Sequence, residues 1–379
     1  MSTRSYFSQT LVPLFFVLAS TSGQQQSTTA TNIDLSGQSH RQIIVDKQEG
    51  QYLGHPTTVL LDDGKTILVV YPMGHGSGQI VLKKSTDGGL SWSKRLPVPD
   101  NWSTSKEVPT IFKTVDPNGV NRLILFSGLY PARLAFSQDD GNDWTNLQPV
   151  GEWGGIVVMS GIVRLKGGSY LAMFHDDGRF FRKGGKAGRT MTLYKTISSD
   201  GGLTWGFPEE IFKADTVQLC EPGIIRSPKG RQLAVLLREN SRTHNSYIVF
   251  SNDEGNTWTQ PRELPTTLTG DRHTGKYAPD GRLVISFRDM GKNSPYYGDW
   301  TVWVGTYEDL SNTGQGQYHF RLMDNKVSAD CGYPGVEILP DSTFVLTSYG
   351  HWSERQMPYI VTVRLQLAAL DRMASAIRK

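Results

Sequence analysis

An octapeptide that occurs four times sets the strongest limit on what this chain can become. The copies read Ser85-Thr-Asp87-Gly-Gly89-Leu-Ser-Trp92, Ser137-Gln-Asp139-Asp-Gly141-Asn-Asp-Trp144, Ser198-Ser-Asp200-Gly-Gly202-Leu-Thr-Trp205 and Ser251-Asn-Asp253-Glu-Gly255-Asn-Thr-Trp258. Their common form is S-x-D-x-G-x-x-W, and the aspartates recur at intervals of 52, 61 and 53 residues. Each copy reads as a turn joining two strands. Ser and Asp hydrogen-bond the turn backbone, Gly supplies a positive φ, and Trp packs the turn onto its neighbours. Repetition at this period in an all-β chain predicts a propeller with one repeat per blade. The boxes themselves read as structural.

A second pattern precedes each box and recurs in two further units that lack one: a turn, an apolar strand, a Gly or Asp turn, and another apolar strand. Its six occurrences begin at Gly54, Val108, Met159, Glu221, His273 and Tyr333. Asp63-Gly64 and Asp280-Gly281 mark hairpin turns. The stretches at 41–46 (RQIIVD) and 359–365 (YIVTVRL) either close the ring or add to a seventh blade. The expected fold is an all-β propeller of six or seven blades, and no stretch reads as a long amphipathic helix.

The chain has 379 residues, enough for one large propeller, and its 39 basic and 36 acidic residues leave a net charge of +3. That balance gives no broad basic field for nucleic acid. Cys220 and Cys331 fall in different repeats, so free thiols are expected rather than a disulfide framework. Residues 1–23 read as a signal peptide: Arg4, then an apolar run at 11–19 that Pro13 interrupts and that is too short to span a bilayer. The Gln/Ser/Thr-rich stretch 24–36 reads as a disordered linker, and 37–379 as one catalytic propeller domain. A secreted, extracellular monomer with no membrane span is expected, with a sequon at Asn101-Trp102-Ser103.

Blade topology locates the function. In a four-stranded up-and-down blade the boxes, as 3–4 turns, lie on one face. The residues before strand 1 and after strand 2 collect on the other. Five of the eight histidines fall there (His55, His75, His175, His273 and His351), together with Arg133, Arg179, Arg238 and Arg288. Loops on a rigid scaffold are where binding usually sits. Guanidinium forks match carboxylates, so an acidic oligosaccharide or polysaccharide is the expected partner. No H-x-H or H-x-x-x-H spacing occurs, so no metal or cofactor is expected; an ion plugging the central channel stays open.

The octapeptide is the Asp box of the sialidase-like (BNR-repeat) propellers, which the chain resembles from about residue 40 to its end. That resemblance implies three arginines on a substrate carboxylate, a tyrosine nucleophile paired with glutamate, and an aspartate acid/base on an early loop. Glu221 and Arg238 match the glutamate and second arginine, Arg288 lies at a comparable strand end, and Tyr349 stands as the late tyrosine. The beginning departs from the pattern. Gly54-His55-Pro56 replaces Arg-Ile-Pro, and the loop Pro72-Met-Gly-His75-Gly-Ser-Gly78 carries no carboxylate.

With Arg133, these departures are similar to the propeller lyases that cleave terminal L-rhamnose-α-1,4-D-glucuronate on arabinogalactan-type glycans, a family described as seven-bladed. What that resemblance implies is β-elimination, with His55 and His75 as the acid/base pair and Arg133 as the carboxylate clamp. Arg179, Glu221, Arg238, His273, Arg288, Tyr349 and His351 would bind substrate. Two other readings stay open: a sialidase-like exo-glycoside hydrolase (sialidase or rhamnosidase), and a non-catalytic propeller that binds acidic sugar.

Overall fold

The computed structural model describes Met1 and residues 29–377, so the signal-peptide expectation and the linker up to residue 28 lie outside the described residues. Six sheets surround a central channel. Blade 1 comprises Thr57–Leu60, Ile67–Pro72 and Ile80–Ser85. Blade 2 follows with Thr110–Val115, Asn121–Ser127, Arg133–Ser137 and Gln148–Pro149, and blade 3 with Ile156–Arg164, Tyr170–Asp176, Thr192–Ser198 and Glu209–Lys213. Leu219–Arg226, Leu233–Glu239, Tyr247–Ser251 and Arg262–Glu263 make blade 4. Blade 5 is Gly270–Tyr277, Leu283–Asp289, Trp300–Gly305 and Tyr318–Met323. In blade 6, Cys331–Ile338, Phe344–Gly350 and Tyr359–Leu365 take an outer strand, Gln42–Asp46, from the other end of the chain.

That antiparallel pairing, Gln42 opposite Val363 and Asp46 opposite Ile360, closes the ring at six. The alternative of a seventh blade is therefore corrected: the two strands that left it open pair with each other. The first strand of each blade lines the axis and the later strands step outwards. Apolar side chains fill the wedges between blades, as where Leu68, Val70 and Leu82 of blade 1 meet Ile111, Leu123 and Leu125 of blade 2. Each such buried side chain contributes about 1.5–3 kcal/mol.

The boxes are built from their own residues. Ser85 Oγ donates to Asp87 Oδ1 (2.8 Å) and accepts the Gly89 N–H (2.8 Å), while Asp87 Oδ1 accepts the Leu90 and Ser91 N–H groups. The other three copies repeat this arrangement closely. Gly141 shows why glycine is needed. Its φ is +80°, and an added Cβ would meet Leu68 Cδ1 of the preceding blade at 2.4 Å.

Several local expectations change. Residues 31–34, read as part of the disordered linker, form the strand Thr31–Asp34, which pairs in parallel with the outer edge of blade 5. An 11-residue helix, Leu367–Ile377, follows the last strand and buries Leu367, Leu370 and Ala374. That helical spacing is hidden in a sequence otherwise read for strands. Cys220 and Cys331 are free and buried. At the sequon, Asn101 Nδ2 donates to Leu147 O and Asn101 Oδ1 accepts the Leu147 N–H, both at 3.0 Å. Asn101 thus serves as a staple onto the end of blade 2. Among the described residues no helix is long and apolar enough to cross a membrane.

Candidate active site

The inner strands are bent where they enter the channel. In blades 3 to 6 the pairing of strand 1 with strand 2 slips at Ile156/Gly161, Cys220/Gly223, Asp271/Thr274 and Gly332/Gly335. Inside each slip sits one residue with left-handed backbone: Val157 (φ 51°), Glu221 (51°), Arg272 (55°) and Tyr333 (54°). His55 (55°) holds the same conformation just before blade 1. Such bulges re-aim a side chain, and each left-handed non-glycine residue costs on the order of 1–3 kcal/mol that the surrounding packing must offset. The outcome is a pseudo-sixfold ring of inner-strand starts, His55, Glu107, Val157, Glu221, Arg272 and Tyr333. All but Arg272 line one cavity of about 640 Å³.

Tyr333 and Glu221 form the centre of that cavity. The Tyr333 hydroxyl donates to Glu221 Oε1, which also accepts from Arg238 Nη1 at 2.7 Å. Glu221 Oε2 is buried and has no partner among the described residues. Burial would raise the Glu221 carboxyl, but the Arg238 charge and the tyrosine hydrogen bond hold it below the usual carboxylate range. Burial and the adjoining carboxylate push the Tyr333 hydroxyl well up, so it stays protonated.

Beneath this pair, Asp271 is fully buried among guanidiniums. It accepts from Arg242 Nη1 (2.6 Å) and Nη2 (2.8 Å) and from Arg288 Nε (2.7 Å), with Arg238 Nε 3.2 Å away. Burial alone would raise its pKa; the arginines hold it far below the carboxylate range. Arg272, also buried, donates to Ser160 O. Four guanidiniums (Arg238, Arg242, Arg272 and Arg288) thus face two carboxylates, Glu221 and Asp271. Of the four only Arg238 reaches the cavity lining, where Lys106 and Arg179 are the other cations.

On the opposite wall the rings of Tyr333, His55 and His75 stand in a row, with centroids 4.5 and 5.0 Å apart. His55 is buried. Its Nδ1 accepts the Gly76 N–H (3.2 Å), which places its proton on Nε2, 3.2 Å from the Tyr349 hydroxyl. Burial, with His75 and two arginines nearby, holds His55 well below the ordinary imidazole range, so it is neutral. His175 also lines the cavity, accepts the Glu221 N–H and is lowered to about 4 by burial. Glu107 completes the wall. Burial pushes its carboxyl up to about 7, while its oxygens accept the Val108 and Val157 N–H groups.

Comparison with known proteins fits this geometry. Residues 132–288 match a BNR repeat-like domain. A sialidase of Clostridium perfringens is 24% identical over 277 residues, which is 70% of this chain and 63% of that protein; the chain therefore spans less than two thirds of its relative's length. A Dyadobacter fermentans protein of unknown function superposes with a TM-score of 0.66 at 16% identity, over 86% of this chain and 98% of that one. The intramolecular trans-sialidase of Ruminococcus gnavus superposes with 0.58 at 15% identity, over 84% and 95%. The chain has the sialidase-like β-propeller fold.

Within this sialidase-like propeller the sequence-derived site residues separate into two groups. His55, His75, Arg179, Glu221 and Arg238 line the cavity, with Arg179 half-exposed and paired to Asp177. Tyr349 lies buried and Arg288 partly buried behind that lining. Three expectations need correction. Arg133 starts the third strand of blade 2, away from the axis, and spends its guanidinium on Thr104 Oγ1 (2.7 Å) and Thr104 O (2.8 Å). His273 is turned into the blade, stacked on Phe287 with Nε2 at Leu268 O. Tyr349 is not the tyrosine beside Glu221; that is Tyr333. His351 faces Asp330 Oδ2 at 3.0 Å. The residues missed were Tyr333, Glu107 and Asp271. The first two did carry a signal: Tyr333-Pro334 and Glu107-Val-Pro109 open their repeats as His55-Pro56 and Glu221-Pro222 open theirs. Among the described residues no cluster of three His, Cys, Asp or Glu is arranged to hold a metal ion.

Proposed function

We propose that this protein is a glycoside-processing enzyme acting on a terminal acidic sugar, with Tyr333 as nucleophile and Glu221 as its proton acceptor. The observation that carries this is the Tyr333–Glu221 hydrogen bond inside the cavity, in a lining that also presents Arg238, Arg179 and Lys106 to an acidic sugar. A phenol is a weak nucleophile until a base takes its proton, and Arg238 keeps Glu221 ionised for that task. Tyrosine nucleophiles are the known exception to the two-carboxylate rule for glycosidases. In the first step Tyr333 Oη bonds to the anomeric carbon and its proton passes to Glu221. The bond to the leaving oxygen breaks as His75, in the loop that lacks a carboxylate, donates a proton. Water then reverses these transfers. The sialidase relative makes a sialoside the first substrate to test.

A second reading, elimination from a rhamnose-capped glucuronate, is favoured by the His55–His75 pair itself. Both nitrogens of neutral His55 already have partners, and Arg133 lies outside the cavity lining, which weighs against it. The deciding experiment supplies a fluorogenic sialoside and a rhamnosyl-glucuronate oligosaccharide in parallel. Fluorophore release that falls at least about 100-fold in Tyr333→Phe supports the first reading. Ultraviolet absorbance from a conjugated 4,5-unsaturated uronate would replace it with the second.

A further inference from the structure

We infer that Asp330 is the positioning residue for His75, and that the two form the acid–base dyad of the reaction across the mouth of the cavity. This rests on the glycoside-processing reading above. The carboxylate absent from the loop at 72–78 is supplied by a different part of the chain, the segment leading into blade 6. His75 Nε2 lies 3.8 Å from Asp330 Oδ1, and the His75 side chain is 69% exposed at the cavity lip, open to an incoming ligand.

Both partners are held in place. The loop bearing His75 is a tight glycine turn: a Cβ on Gly74 would meet Ser77 O at 2.5 Å, and one on Gly78 would meet Met73 O at 2.7 Å. His75 packs edge-on against Tyr52 and His55, with centroids 5.4 and 5.0 Å away. Asp330 is fixed by three groups from elsewhere. Its Oδ1 accepts from the Tyr52 hydroxyl (2.7 Å) and the Tyr349 hydroxyl (3.1 Å), and its Oδ2 faces His351 Nε2 (3.0 Å). Together these partners hold the carboxylate with Oδ1 on the side of His75. A carboxylate beside one imidazole nitrogen fixes the tautomer and ring orientation and frees the other nitrogen for the reacting atom. Catalytic hydrogen bonds are commonly long before substrate binds, so 3.8 Å is within reach of closure.

The step balances. Protonated His75 gives its proton to the glycosidic oxygen as the C–O bond breaks and the Tyr333 O–C bond forms, with the phenolic proton moving to Glu221. Water then attacks the same carbon and gives a proton to His75. The tyrosyl C–O bond breaks, and Tyr333 recovers its proton from Glu221. Asp330 exchanges no proton in this sequence and acts through His75 alone.

An acid catalyst matters most when the leaving group is poor. The test compares kcat/KM for sialyllactose, a poor alcohol leaving group, with nitrophenyl sialoside, whose phenolate departs without help. Asp330→Asn and His75→Gln are each expected to lose at least about 100-fold on sialyllactose and less than about tenfold on the nitrophenyl substrate. The double variant should be no worse than the poorer single, and calorimetry should show free sialic acid binding within about twofold of the unsubstituted protein. Equal losses on both substrates, or losses that add in the double variant, would overturn the dyad while the glycoside reading stands. If the unsubstituted protein turns over neither substrate, that reading fails and takes the dyad with it.

Discussion

The two faces of this wheel treat the same repeat in opposite ways. On the box face, Ser, Asp and Gly recur four times with nearly superimposable hydrogen bonds, and each copy satisfies its polar groups locally. On the other face the equivalent inner-strand starts carry His55, Glu107, Val157, Glu221, Arg272 and Tyr333. Five of those six share a left-handed backbone, and those five carry five different side chains. Backbone geometry is repeated and chemistry is not. The scaffold offers six equivalent mounting points, and they carry five kinds of side chain, glutamate alone appearing twice.

This contrast can be broken at either face. The largest effect is expected at Tyr333→Phe, which should lower turnover by about 10²–10⁴-fold in steady-state assays with little change in melting temperature. Next comes Asp271→Ala, which strands three guanidiniums in a buried site. It should cost about 3–5 kcal/mol in denaturant unfolding. A result under about 1 kcal/mol would show that the buried charges do not hold this face together.

Acid should also separate the faces. His175 and His273 are lowered by burial to about 4 from the ordinary 6.5. Their folded pKa values lie below the unfolded ones, so the stability tied to their neutral forms is present above pH 6.5. It is lost as pH falls towards 4, by up to about 3 kcal/mol for each. Glu107 has the opposite sign. Raised from 4.5 to about 7, it contributes stability below pH 4.5 that fades as pH rises through 7. Glu107→Gln should therefore steepen the acid loss between pH 6.5 and 4.5, as melting curves across that range will show. The box carboxylate Asp87, lowered to about 2 from 3.8 by its hydrogen bonds despite partial burial, titrates only below this window. The smallest effect is expected at Asp200→Ala, about 1 kcal/mol of stability with turnover unchanged.

How much of this was legible follows from how local each feature is. The boxes could be read outright, because each is eight consecutive residues bonding to themselves. The division into faces was also legible, since it follows from the strand order alone. Distance from the axis was not. Arg133 lies on the expected side but starts an outer strand, so it never reaches the cavity lining. His273 lies beside the left-handed Arg272, and the bulge there turns it into the blade. The same kind of slip brings Tyr333, rather than Tyr349, against Glu221. A bulge changes which side chain points inwards without changing the apolar pattern, so pattern reading passes over it.

The clasp in blade 6 has a kinetic corollary. Because Gln42–Asp46 seats against Tyr359–Leu365, the final wedge of the barrel stays unlatched until both extremities of this stretch have been synthesised. Closing the wheel thus depends on one pairing between residues more than 300 positions apart, a contact whose loop-closure cost slows folding. Deleting the strand at 42–46 should therefore do more harm than removing a comparable edge elsewhere, because it takes away the latch for all six.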